Sequence, residues 1–172
     1  SASGDVEIID ASAATSITHT GTGDLDVTLG VADDVTVTAA NATSALTVTA
    51  SATAGDLTLT GGSGDDNFEM GATLAYTSAT AQDIIDGGAG TDVIHLTGSA
   101  TTVNAAATAG QINVVNVETL DIDSATNADA LDFDDFANPT QITTVIYSST
   151  DDDNSDFTAT DTQASTFTLR NI

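Results

Sequence analysis

The chain has 172 residues, 26 of them acidic against a single Lys or Arg, for a net charge of −25. A surface of that sign repels nucleic acid and anionic membranes, and no apolar run is long enough to cross a bilayer. With no cysteine, no disulfide can staple the fold. High net charge often marks a disordered chain, but a hydrophobic content of 40% argues against disorder. The two properties are compatible if cations neutralise a folded state. The sequence opens at Ser1 without Met or a signal-like apolar segment, as expected of a processed form or an excised segment.

Short apolar–polar alternations begin at once. Val6-Glu7-Ile8, Ile17-Thr18-His19, Leu25-Asp26-Val27, Val35-Thr36-Val37, Leu46-Thr47-Val48 and Leu57-Thr58-Leu59 have period two and are too brief for helices. Turn residues separate them at Gly21 to Gly23, Asp33-Asp34, Asn41 to Ser44 and Gly55-Asp56. Frames of about twenty residues, two strands to a frame, align these stretches as successive coils. One coil cannot bury its apolar side, whereas stacked coils bury a continuous core. The predicted fold is therefore all-β: a right-handed parallel β-solenoid with short strands and Gly/Asp-rich turns. The frames place Ile17, Val35 and Leu57 inward, followed by His19, Val37 and Leu59. Thr18, Thr36 and Thr58 then face outward beside Thr20, Thr38 and Thr60.

Two segments carry a sharper signal: Gly61-Gly62-Ser63-Gly64-Asp65-Asp66-Asn67-Phe68-Glu69 and Gly87-Gly88-Ala89-Gly90-Thr91-Asp92-Val93-Ile94-His95. Both match the nonapeptide G-G-x-G-x-D-x-U-x. In these segments the chain resembles the RTX proteins exported by bacterial type I secretion, which include toxins, proteases, adhesins and surface-layer (S-layer) proteins. The resemblance covers residues 61–95 and implies Ca²⁺ shared between a turn and its equivalent in the next coil. Calcium is a hard ion that takes six to eight oxygens, and glycines allow turns tight enough to aim carbonyls at one point. Asp66 and Asp92 are the implied side-chain ligands, with Asp65 and Asp86 behind them. Gly61, Ser63, Gly87, Ala89 and Thr91 complete the candidate set. The repeats start 26 residues apart (87 − 61), more than one frame, so residues near Met70 to Gln82 read as an insertion. Leu57-Thr58-Leu59-Thr60 and Asp83-Ile84-Ile85-Asp86 approach the two turns alike, which places both on one edge, one coil apart. Gly21-Thr22-Gly23-Asp24 reads as an ordinary turn in preference to a degenerate copy of the repeat at the same edge.

Residues 1–116 read as solenoid and 117–172 as its continuation or a C-terminal β cap. Ile112 to Val114, Val117 to Ile122 and Ile142 to Tyr147 read as strands, and Val117-Glu118-Thr119-Leu120 resembles a segment of RTX-bearing S-layer solenoids. Asp132, Asp134 and Asp135 surround Phe133 and Phe136. Asp151 to Asp156 offers oxygens for a second ion but lacks the Gly and closing Glu of an EF-hand loop, and reads in preference as a solvated acidic loop. Phe157, Phe167 and Leu169 are expected to close the core or pair with a final strand. His19 and His95, without a Cys cluster or HExxH, form no zinc signature. No G-x-S-x-G or P-loop occurs, and Arg170 is too little cation for an acidic polysaccharide. The expected role is not enzymatic: a calcium-dependent extracellular structural module of a surface layer, adhesin or fibre, self-associating at the cell surface. The alternatives are an accessory calcium-folded domain of a secreted enzyme, or an ice-binding solenoid carrying the threonine rows.

Overall fold

A computed structural model of the chain describes residues 4–8, 11, 13–30, 34–50, 56–70, 83–97, 113–124, 129–133, 136, 141–149, 157–160 and 166–171. Regular structure there is strand, with no α-helix among the described residues. In chain order the strands are β1 (Val6–Ile8), β2 (Ser16–Thr18), β3 (Leu25–Thr28), β4 (Val35–Thr38), β5 (Leu46–Thr49), β6 (Leu57–Thr60), β7 (Asn67–Glu69) and β8 (Ile84–Asp86). They continue as β9 (Val93–Leu96), β10 (Asn113–Val115), β11 (Thr119–Ser124), β12 (Asp129–Asp132), β13 (Thr144–Ser149), β14 (Phe157–Thr160) and β15 (Thr166–Asn171). Odd-numbered strands β1 to β15 form one eight-stranded parallel sheet, and β2 to β10 a five-stranded parallel sheet in which alternate strands pair. Strand β12 pairs with β14 in a separate two-stranded sheet. Alternation between two parallel sheets is a β-solenoid, as the sequence predicts.

The period-two pattern decides which side chains face in. In β5, Leu46 and Val48 are buried while Thr47 and Thr49 are half-buried, and β6 repeats this with Leu57 and Leu59. Parallel register stacks like on like: Val27 lies opposite Val48, Val48 opposite Phe68, Phe68 opposite Ile94, and Ile94 opposite Leu120. This row fills the space between the sheets, with Val37, Leu59 and Ile85 coming from the other side. Coil length varies along it, from 20 residues (Val48 to Phe68) to 26 (Phe68 to Ile94).

The register corrects the frames at one place. Ile17 lies opposite Val37, not Val35, and the threonine rows become Thr18, Thr38, Thr60, then Asp86, beside Ser16, Thr36, Thr58, then Ile84. A slip of two residues keeps every side chain on its own face, so the alternating pattern cannot choose between the two registers. Hydrogen bonding does choose: Thr36 N–H bonds Thr15 O at 3.1 Å, and His19 N–H bonds Thr38 O at 2.9 Å. His19 thus lies past the end of β2, half-buried, and Thr20 contributes no rung. Met70, the start of the predicted insertion, is a core residue whose N–H bonds His95 O at 2.8 Å. The remainder of that stretch, 71–82, lies outside the described residues, as do Asp33, Gly55, Ile112, Asp134, Asp135 and Asp151 to Asp156. Phe133 and Phe136 are buried with ring centroids 5.8 Å apart.

Candidate metal centre at the stacked glycine turns

The two Gly-rich turns lie one above the other. Gly61 N–H bonds Asp86 O at 2.7 Å, Ala89 N–H bonds Gly62 O at 2.9 Å, and Gly87 N–H bonds Val115 O at 3.0 Å. The last bond makes Asn116, at φ 53°, the next coil's counterpart of Gly87. Gly88 and Gly90, at φ 93° and 143°, take a backbone form that side chains disfavour. Gly61 and Gly87 are required for space instead. A Cβ on Gly61 would strike Asp66 Oδ2 and Gly87 O, and one on Gly87 would strike Asp92 Oδ2 and Asn116 O. At the head of each turn, an aspartate oxygen and a carbonyl of the following coil crowd together where only glycine fits.

The aspartates occupy core positions. Asp66 stands level with Leu46 and Asp92 level with Asp66, in a row that runs back through Leu25 to Val6. Each is 1% exposed. Burying a carboxylate is costly unless hydrogen bonds or ions compensate it, and the backbone does so in part. Asp66 accepts from Leu46 N–H and Gly62 N–H, both at 2.7 Å. Asp92 Oδ1 accepts from Asp66 N–H at 2.7 Å, while its buried Oδ2 has no hydrogen-bond partner. Glu118 continues the ladder by accepting from Asp92 N–H at 2.9 Å.

Burial pushes the Asp92 carboxyl up to about 6 despite the Asp66 N–H, and the charges of Asp66, Glu118 and Asp65 add to the rise. Asp66 is raised too, chiefly by burial, against the opposing pull of the Gly62 and Leu46 amides. The chain holds a single Lys or Arg. That residue, Arg170, is on β15, three strands beyond β9, or about 14 Å at ~4.8 Å per strand. Buried oxygens, a carboxylate atom without a partner and carbonyls from the adjacent coil make a donor set suited to a hard dication such as Ca²⁺.

The other candidate residues divide. Asp65 is exposed and accepts from Thr91 N–H at 2.8 Å, tying the turns together. Asp86 turns toward the next coil, accepting from Asn116 Nδ2 at 2.8 Å and Gly88 N–H at 3.1 Å. Ser63, Ala89 and Thr91 form the exposed rim, with Ser63 N–H bonded to Ala42 O at 3.1 Å. At Gly21 to Gly23, the carbonyl of Gly23 takes the Ser44 hydroxyl at 2.6 Å and lies 2.9 Å from His19 Nε2, while Asp24 is exposed.

A further buried acid, Asp83, is not among the residues the sequence singles out. Asp83 is 8% exposed, accepts from Leu57 N–H at 2.9 Å through Oδ1, and leaves its buried Oδ2 without a hydrogen-bond partner. It stands in the second sheet as Asp66 stands in the first, level with a leucine of the preceding coil. Burial, and secondarily the Asp56 charge, push its carboxyl up to about 7 against the pull of the Leu57 amide. The signal was present: Asp83-Ile84-Ile85-Asp86 repeats the Asp-x-apolar-x of Asp66-Asn67-Phe68-Glu69 and Asp92-Val93-Ile94-His95, without the glycines before it. The chain matches no protein-family model, no curated protein and no solved structure.

Proposed function

We propose that this chain is a calcium-ordered structural module of the extracellular surface, of the kind used in bacterial surface layers, adhesins and fibres, and that it is not an enzyme. The observation that carries the reading is the burial of Asp66 and Asp92 in a leucine row, beneath turns where only glycine fits. Asp66 and Asp92 would hold the ion by their side chains, with carbonyls of the stacked turns completing the oxygen set. When bound, calcium supplies the positive charge that the chain itself lacks. Extracellular calcium modules bind in the range of about 10⁻⁴–10⁻³ M, so secretion is what would bring the ion and the module together. The resemblance of residues 61–95 to RTX repeats points the same way.

Self-association belongs to the same reading. Among the described residues, β1 and β15 each have one unpaired sheet edge, and Val6 and Phe167 are 41% and 44% exposed there. Unpaired edges are templates for further strands, and neutralising carboxylates weakens repulsion between chains that each carry −25.

A single calcium titration, followed by circular dichroism, thermal melting and light scattering, tests both points. Strand signal and melting temperature should rise with calcium, by about 2.7 kcal/mol of stability at a hundredfold excess over Kd, and scattering mass should increase. Asp66→Ala and Asp92→Ala should shift the midpoint to much higher calcium, whereas Asp26→Ala, at an exposed position of β3, should not. A melting curve indifferent to excess chelator would overturn the role of calcium. A monomer throughout would overturn the assembly.

A further inference from the structure

A second group of donors lies on the outer face of the eight-stranded sheet. Thr28 and Thr49 on that face lead, in register, to Glu69 on β7, His95 on β9 and Asp121 on β11. Asp123 lies two residues beyond Asp121 on the same face. His95 Nε2 is 3.0 Å from Asp123 Oδ2, and its Nδ1 is 3.2 Å from Glu69 Oε2. Donor atoms of His95, Asp121 and Asp123 all lie within 4.8 Å of one another. Glu69 is itself oriented, since Asn67 Nδ2 donates to its Oε1 at 3.1 Å. The side chains of His95, Glu69 and Asp123 are 24%, 34% and 42% exposed, within reach of an ion from solvent.

Charge makes this arrangement unfavourable without a cation. Like charges on neighbouring strands repel, and three carboxylates surround one imidazole. Even a protonated His95 would leave the group at −2. Geometry indicates the kind of cation. The imidazole presents Nδ1 to an oriented carboxylate and Nε2 to Asp123, with Asp121 in the same group, as in metal-bound histidines whose second ring nitrogen donates to a carboxylate that fixes the tautomer. Imidazole with carboxylate oxygen suits zinc and its first-row neighbours, whereas calcium takes oxygen alone.

We propose that His95 Nε2, Asp121 and Asp123 bind a first-row transition dication of the zinc class, with Glu69 positioning His95 through Nδ1. Neutral imidazole and two carboxylates balance the dication, and three protein ligands leave a fourth position to water. The ligands come from two successive coils, so metal at this site ties β9 to β11 on the outside of the sheet. It is separate from the glycine turns and does not depend on their binding calcium.

The test titrates Co²⁺, and separately Zn²⁺, into the full chain held in saturating calcium, with calorimetry and the visible absorption of Co²⁺ as readouts. One equivalent should bind with a defined absorption band. His95→Gln should abolish the band and lower affinity about 100-fold, and Glu69→Gln should lower it about 10-fold, as loss of an orienting partner does. Asp26→Asn, an exposed acid on the same sheet, should change nothing. In the unaltered protein, Co²⁺ should shift or broaden the ring resonances of His95 at one equivalent and spare those of His19, a readout independent of whether the variants fold. Weak binding of many equivalents, unaltered by His95→Gln, would overturn the proposal. So would a His95 ring insensitive to Co²⁺, or stoichiometric displacement of Co²⁺ by calcium, which would mark an oxygen-only site.

Discussion

The coils before Gly61 and those that carry the glycine turns share one row of core positions and fill it oppositely. Leu25 and Leu46 close the earlier coils with hydrocarbon, while Asp66 and Asp92 place carboxylates at the same level. A leucine there is stabilised by leaving water, about 1.5–3 kcal/mol when fully buried, and needs nothing else. An aspartate there is destabilised by leaving water and depends on what it can gather, from backbone amides to a cation. One scaffold therefore contains a self-sufficient segment and a conditional one. Their boundary falls where Leu46 N–H meets Asp66.

The sharpest way to break this contrast is to remove calcium and watch each region separately. With excess chelator, hydrogen exchange should accelerate by orders of magnitude at the amides of β7 and β9, while β3 and β5 retain most of their protection. Uniform loss across all four strands would mean that the solenoid responds as one unit and that the row is not divided.

A smaller effect follows from crowding at the turn. Gly61→Ala forces a methyl against Asp66 Oδ2 and Gly87 O, whereas Gly4→Ala meets nothing within 4 Å. Overpacking of this kind costs about 1–3 kcal/mol. Thermal melts in calcium should show Gly61→Ala clearly destabilised and weakened in calcium affinity, with Gly4→Ala near the parent. Parity between the two variants would show that the turn can relax and that its glycine is not needed for space.

A third effect, confined to one range of pH, concerns Asp83, whose carboxyl rises from 3.8 to about 7 in the fold. The folded chain holds that proton more tightly than the unfolded chain does. The group therefore favours folding at low pH, and its contribution is lost as pH rises from about 4 to about 7. In calcium-free buffer, Asp83→Asn should melt higher than the parent at pH 8 and alongside it at pH 4, since the amide oxygen can still accept from Leu57 N–H. Parallel melting profiles for the two proteins would dismiss the buried charge as a determinant of stability.

Much of this was legible in the sequence, and the exceptions have physical reasons. Period two identifies β3 to β6 and their inward faces, and the shared approach to Gly61 and Gly87 places both turns on one edge. Register at Ile17 was not legible, because opposing Val35 or Val37 leaves the same faces in and out. Asp83 was missed because its Asp-x-apolar-x lacks the glycines that announce the other two. Asn116 and Glu118 inherit positions in the turn ladder through register: nothing local marks Asn116, and the string Val117-Glu118-Thr119-Leu120 reads as strand without assigning Glu118 a place in the ladder. The group around His95 assembles residues 26 and 28 apart in the chain, a spacing set by coil length and not by any local motif.

The carboxylate ladder also has a direction, and it differs between the exposed edge and the core row. At the exposed edge, Asp5 accepts from Asp24 N–H, Asp24 from Ala45 N–H, and Asp34 from Asp56 N–H, so the acid belongs to the earlier coil and the amide to the later one. In the core row the sense reverses: Asp66 serves Leu46, Asp92 serves Asp66, and Glu118 serves Asp92. A coil of the first kind offers its successor a ready acceptor, like a tread laid before the next step. A coil of the second kind is a latch, closing its predecessor only once it has itself arrived. At the glycine turns both senses meet: Asp65 offers its oxygen forward to Thr91 N–H while Asp66 and Asp92 reach back, so those coils are held from both sides.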